Sequence, residues 1–125
     1  MSMARKLTKD ENYLELIPTR NPKLKYSSDD NGLVTITVPN IGAFNKLAQK
    51  WFQRPEESYI HLDDYSSYVW LGINGKRDVG DLGKYMKRKY GEKAEPLYPR
   101  LIKFINILKD NRYIGIYDKN GEQVK

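Results

Sequence analysis

Hydrophobic and polar positions along this chain change period several times, and each change predicts an element. Tyr13-Leu14-Glu15-Leu16-Ile17 predicts a short strand or extended arm halted by Pro18, and Thr19-Arg20-Asn21-Pro22 carries turn chemistry. Lys23-Leu24-Lys25-Tyr26 alternates charged and apolar side chains, the period of a half-buried strand. Ser27-Ser28-Asp29-Asp30-Asn31-Gly32 is a loop of residues that favour Asx turns or accept positive φ. The β-branched run Leu33–Val38 follows as the clearest strand, with Val34, Ile36 and Val38 on one face. These strands make a hairpin that Pro39 ends. Asn40 can cap a helix over 41–53, in which Ile41, Phe44, Leu47, Ala48, Trp51 and Phe52 share an arc of about 140°. Ser58–Leu62 is a third strand, with Ile60 and Leu62 on one face and Tyr59 and His61 on the other.

From there the period is helical. Asp63 or Asp64 caps a short helix holding Tyr65, Tyr68, Val69, Trp70 and Leu71, which ends near Gly72 and Gly75. Asp78 caps a second helix, with Asp81 three residues on, and its apolar stripe is Val79, Leu82, Gly83, Met86 and Tyr90. Gly80 and Gly83 are poor helix formers, so close backbone approach is expected there. Pro96 can start a last helix running toward Arg112. Its apolar arc, from Phe104 and Leu97 through Leu101 to Tyr98 and Ile102, spans about 160°, wider than the roughly 100° stripe that faces one core. The surplus flank holds Tyr98 and Ile102, with Lys109 beside them. Tyr113–Tyr117 predicts a terminal strand. The expected organisation is a frayed arm over 1–12, one domain over 13–117 with an insertion over 40–57, and a polar tail over 118–125.

Composition narrows the function. There is no cysteine and one histidine, His61, which removes disulfides, thiolate catalysis and Cys-ligated metals and argues against a multi-histidine metal site. The longest apolar run, Tyr68–Leu71, is far short of the roughly 20 residues that span a bilayer, and no secretory signal is visible, so a cytoplasmic protein is expected. Asp29-Asp30 and Asp63-Asp64 sit in a turn and at a helix start, ordinary places for Asp, and no nucleotide, zinc or calcium motif is present. No enzyme, no metal and no cofactor are therefore expected. The formal net charge is +6, distributed as +3 over residues 1–25, −3 over 26–65 and +6 over 66–125, which suits an anionic partner such as nucleic acid or an acidic peptide.

Three helices beside a small antiparallel sheet match the winged-helix plan, and two binding readings follow. A DNA-binding transcriptional regulator would set a helix in the major groove. The chain lacks an obvious recognition face there: the last helix offers Arg100, Lys103, Asn106 and Lys109, so nucleic acid is the weaker reading. Peptide capture by strand addition would use an exposed edge plus side-chain pockets. The strand Tyr59–His61 and the flank of the last helix fit that arrangement, and Ile60→Pro is expected to abolish pairing by removing a backbone donor.

From Pro18 to Ile114 the order of features resembles the PqqD family. The resemblance is carried by the strands around Leu24 and Val34, then Ile60-His61-Leu62-Asp63-Asp64 leading to Tyr68-Val69-Trp70-Leu71. Asn74-Gly75-Lys76-Arg77-Asp78-Val79 continues it, and Leu101-Ile102-Lys103-Phe104-Ile105 with Asn111-Arg112-Tyr113-Ile114 closes it. The resemblance implies an α+β winged helix-turn-helix: a three-stranded antiparallel sheet followed by a three-helix bundle, here with one inserted amphipathic helix. It also implies a non-enzymatic chaperone that binds the leader of a ribosomally made precursor peptide. Such a chaperone presents the leader to a modifying enzyme, often a radical SAM protein. Carried over, the groove maps to Tyr59, Ile60 and His61 with Tyr98, Ile102 and Lys109.

Overall fold

A computed structural model of the chain describes residues 6, 12–39 and 57–125; the helix expected over 41–53 lies outside them. In chain order come a 3-10 turn at Tyr13–Glu15 and strands β1 (Ile17–Arg20), β2 (Lys25–Ser28), β3 (Val34–Pro39) and β4 (Glu57–His61). Helices α1 (Asp64–Gly72) and α2 (Val79–Tyr90), a 3-10 turn at Gly91–Ala94 and helix α3 (Leu97–Asp110) follow, and strands β5 (Ile114–Tyr117) and β6 (Gln123–Val124) close the chain. The fold is α+β, with two three-stranded antiparallel sheets, β2-β3-β4 and β1-β5-β6. The sheet ahead of the helices is the expected one; the second was not expected. Contacts divide the chain into one unit of Met1–Asn21 with Tyr68–Lys125 and another of Pro22–Ser67.

In the Pro22–Ser67 unit, the Asp29 carboxylate accepts from the N–H groups of Asn31 and Leu33, each at 2.9 Å, and Gly32 takes φ +79° to close the turn. β3 buries Val34 and Ile36, as its alternation predicts. β2 differs from expectation: it starts at Lys25, takes in Ser27 and Ser28, and is exposed throughout. Among the described residues it is an outer strand paired with β3 alone, and with both faces exposed it has no side chain that must be apolar.

The other unit holds most of the buried core, including Trp70, Ile73, Leu82, Met86, Leu101, Ile105, Leu108 and Ile116. α2 begins with a reciprocal capping box: Asp78 Oδ1 accepts from Asp81 N–H at 2.7 Å, and Asp81 Oδ2 accepts from Asp78 N–H at 3.2 Å. Glu95 joins α2 to α3, accepting from Lys87 Nζ at 2.8 Å and from Leu97 N–H at 3.1 Å. Hydrogen bonding from Lys87, then from that N–H, holds its carboxyl below the usual range.

The start of the chain corrects the sequence reading. Tyr13–Glu15 is a 3-10 turn capped by Asn12, and Pro18 does not halt a strand but sits inside β1, with Thr19 and Arg20. Asn21 N–H bonds to Tyr113 C=O at 3.0 Å in register with β1–β5. An antiparallel ladder alternates inward and outward backbone groups. Ile17 and Thr19 therefore turn their backbone groups to β5, while the Pro18 nitrogen faces the open side, where a missing N–H costs nothing. At the other end, Asp118 Oδ1 accepts from Asn120 and Glu122 N–H groups at 2.9 Å each. That turn lets β6 pair with β5 and bury Val124, within a stretch expected to be a polar tail.

Candidate functional site

β4 pairs with β3 and, among the described residues, with no strand on its other side. Leu62 N–H bonds to Val34 C=O at 2.9 Å, and the register sets Ile36 opposite Ile60 and Val38 opposite Ser58. By the antiparallel alternation, Ser58, Ile60 and Leu62 direct their backbone groups at β3. Glu57, Tyr59 and His61 direct theirs at the open edge. Of the expected pairing residues, Tyr59 and His61 thus offer outward donors and acceptors; Ile60 does not, and proline there would break the sheet itself. Glu57 is an edge position that sequence reading missed. The two-residue spacing of Tyr59 and His61 contained this, but which alternate set faces out depends on the partner strand.

The side chains follow the predicted alternation, with Tyr59 58% exposed, His61 exposed and Ile60 half-buried. His61 leans across the strand pair, its Nδ1 3.0 Å from Thr35 Oγ1. An open cavity of about 290 Å³ adjoins it, lined by Ser27, Asp29, Leu33 and Thr35 among others. The end of the ladder is closed by Ser67, whose buried hydroxyl accepts from Val34 N–H at 2.8 Å and donates to Leu62 C=O at 3.3 Å.

Two other outer edges, those of β1 and β2, carry features that natural sheets use against unwanted pairing. β1 turns a proline nitrogen outward. β2 is four residues long, carries Lys25 and follows Lys23. β4 has neither proline nor lysine between Glu57 and His61.

In the other unit, α3 buries the ridge Leu97, Leu101, Ile105 and Leu108, and Tyr98, Ile102 and Lys109 are half-buried on the adjoining flank. Tyr98 packs its ring on Gly83 of α2, where a Cβ would overlap it, and its hydroxyl donates to Gly80 C=O at 3.4 Å. This is the close approach expected at the α2 glycines. Sequence reading missed Ile107, which is 48% exposed on the outer side of α3.

Among the described residues no three His, Cys, Asp or Glu side chains cluster to hold a metal ion, and no helix is long and apolar enough to cross a membrane. What the geometry defines is an α+β protein in which, among the described residues, the outer edge of β4 is unpaired and carries neither proline nor lysine. The family model described as Coenzyme PQQ synthesis protein D (PqqD) matches residues 53–114, the span from β4 through the three helices to the start of β5. Through that segment the chain belongs to the PqqD family. No curated protein and no solved structure matches it.

Proposed function

We propose that this chain is a non-enzymatic peptide-binding protein. It captures the leader of a ribosomally synthesised precursor by strand addition to β4, and presents it to a modifying enzyme of the radical SAM type. The winged-helix arrangement and the cytoplasmic location belong to the same reading. Family membership supports it, but the observation that carries it is the β4 edge, unpaired among the described residues, with the outward backbone groups of Tyr59 and His61 and neither proline nor lysine from Glu57 to His61.

Magnitudes set what else is needed. Two N–H and two C=O groups from Tyr59 and His61 contribute about 0.5–1.5 kcal/mol per bond. Micromolar affinity corresponds to about −8 kcal/mol. Side chains must supply the difference. Tyr59 is the exposed aromatic on the edge, and Tyr98, Ile102 and Lys109 are proposed as a second contact set, tested by their own variants.

The test is titration of isotope-labelled protein with the leader of a precursor encoded beside its gene. Tyr59→Pro removes an outward donor at a position where an edge strand tolerates proline, so the sheet should persist while affinity falls at least about tenfold. Tyr59→Ala keeps the donor and should weaken binding less. Unchanged affinity in a folded Tyr59→Pro protein sinks strand addition. DNA binding that weakens by orders of magnitude between about 50 and 200 mM salt, with no response to the peptide, would instead favour a transcriptional regulator.

A further inference from the structure

The Tyr68–Lys125 part of the chain carries an aromatic stack. The Tyr68 ring of α1 lies parallel to the Tyr85 ring of α2, with centroids 4.3 Å apart and planes at 12°. The Arg77 guanidinium sits over Tyr85 at 4.8 Å, and the Lys89 ammonium over Tyr68 at 5.4 Å. Each ring of the stacked pair thus also meets a cation. Tyr90 meets Tyr68 edge-on at 6.0 Å. Two features hold the stack in place: Arg77 Nη1 donates to Gly72 C=O at 3.0 Å, and Gly72 lacks the Cβ that would strike the Tyr85 ring.

Leu71, one turn along α1 from Tyr68 and 37% exposed, extends the apolar part of this surface. The three tyrosines are half-buried, so their edges meet solvent. Burial, then the Tyr68 hydroxyl, pushes the Tyr85 hydroxyl up to about 12, so it adds no negative charge at working pH. Tyrosine and arginine, both enriched in protein interfaces, lie together on this surface.

We propose that this face of α1 and α2 is a docking surface for the acidic surface of a second, folded protein. It goes beyond the peptide reading and does not depend on it. Charge complementarity selects the partner: the cations over the stacked rings are Arg77 and Lys89, and neither forms an ion pair with another described residue. A second copy of a chain of net charge +6 would bring like charges together. Nucleic acid fits less well, because each stacked ring is already engaged by the other ring and by a cation of this chain.

Two acidic probes test this with the full chain: poly-L-glutamate, and a random copolymer of glutamate and tyrosine. The copolymer should bind more tightly and shift the amide signals of Tyr68, Leu71, Arg77, Tyr85 and Lys89. Lys89→Glu should weaken it about tenfold, while the charge-matched Lys103→Glu on α3 should weaken it less than about threefold. Leu71→Ser should erase the preference for the copolymer. Equal losses in the two charge variants, shifts mapping elsewhere, or tighter binding of short duplex DNA with the same Lys89 dependence would each overturn the proposal.

Discussion

Ser67 shows how much one hydroxyl can decide. It replaces the last rung of the β3–β4 ladder, bonding to Val34 N–H and Leu62 C=O, and is 1% exposed. Ser67→Ala leaves a buried N–H without its acceptor and should cost about 1–3 kcal/mol in urea unfolding. A loss below about 0.5 kcal/mol would mean that water replaces the hydroxyl. Nothing in Tyr65-Ser66-Ser67-Tyr68 marks this serine, since its partner lies 33 residues earlier. Local chemistry was far more readable. Asp78 with Asp81, Asp29 ahead of Gly32, and Asp63, whose Oδ1 accepts from Ser66 N–H at 2.8 Å, all bond to backbone within a few residues, so spacing alone reveals them.

At the scale of elements, periodicity located β3 and the three helices because each buries one face and burial demands a pattern, and β4 because its half-buried and exposed positions alternate. It misread β1, β2 and β6, which are short outer strands where one side of the ladder or both faces are free of that demand. The end of α3 was set a little long for another reason. Tyr113 N–H bonds to Leu108 C=O and Arg112 N–H to Lys109 C=O, each at 2.9 Å, the pattern of a Schellman stop. Arg112 occupies the left-handed position at φ +63°, where glycine is usual. Arg112→Gly should therefore stabilise the protein by about 1 kcal/mol, read as a higher urea midpoint at unchanged slope. A lower midpoint would show that the arginine side chain outweighs its backbone strain.

For the molecule as a whole, pH response follows from two tyrosines in the Met1–Asn21 and Tyr68–Lys125 unit. Burial, then the Asp110 carboxylate, pushes Tyr13 up to about 12, as burial and Tyr68 do for Tyr85. Tyr13 also donates to Asn106 Oδ1 at 2.8 Å. In the unfolded chain both ionise near about 10, so between about pH 10 and 12 the unfolded state binds fewer protons. Stability is then full below about 10 and falls as pH rises toward 12. Tyr13→Phe and Tyr85→Phe should each flatten that fall in urea titrations, and an unchanged slope in both would refute the assignment. By itself the sequence determined the α+β class, the main buried faces and the helix caps, because each rests on neighbours within a few residues, and the order of features that marks the family, because order along the chain is itself sequence. Tertiary pairing alone decided that β1 joins β5, that Glu57, Tyr59 and His61 rather than Ile60 face the open edge, and that Tyr68, Arg77, Tyr85 and Lys89 form one stack. The direction in which a strand's backbone points, and which rings meet, are fixed by partners far along the chain.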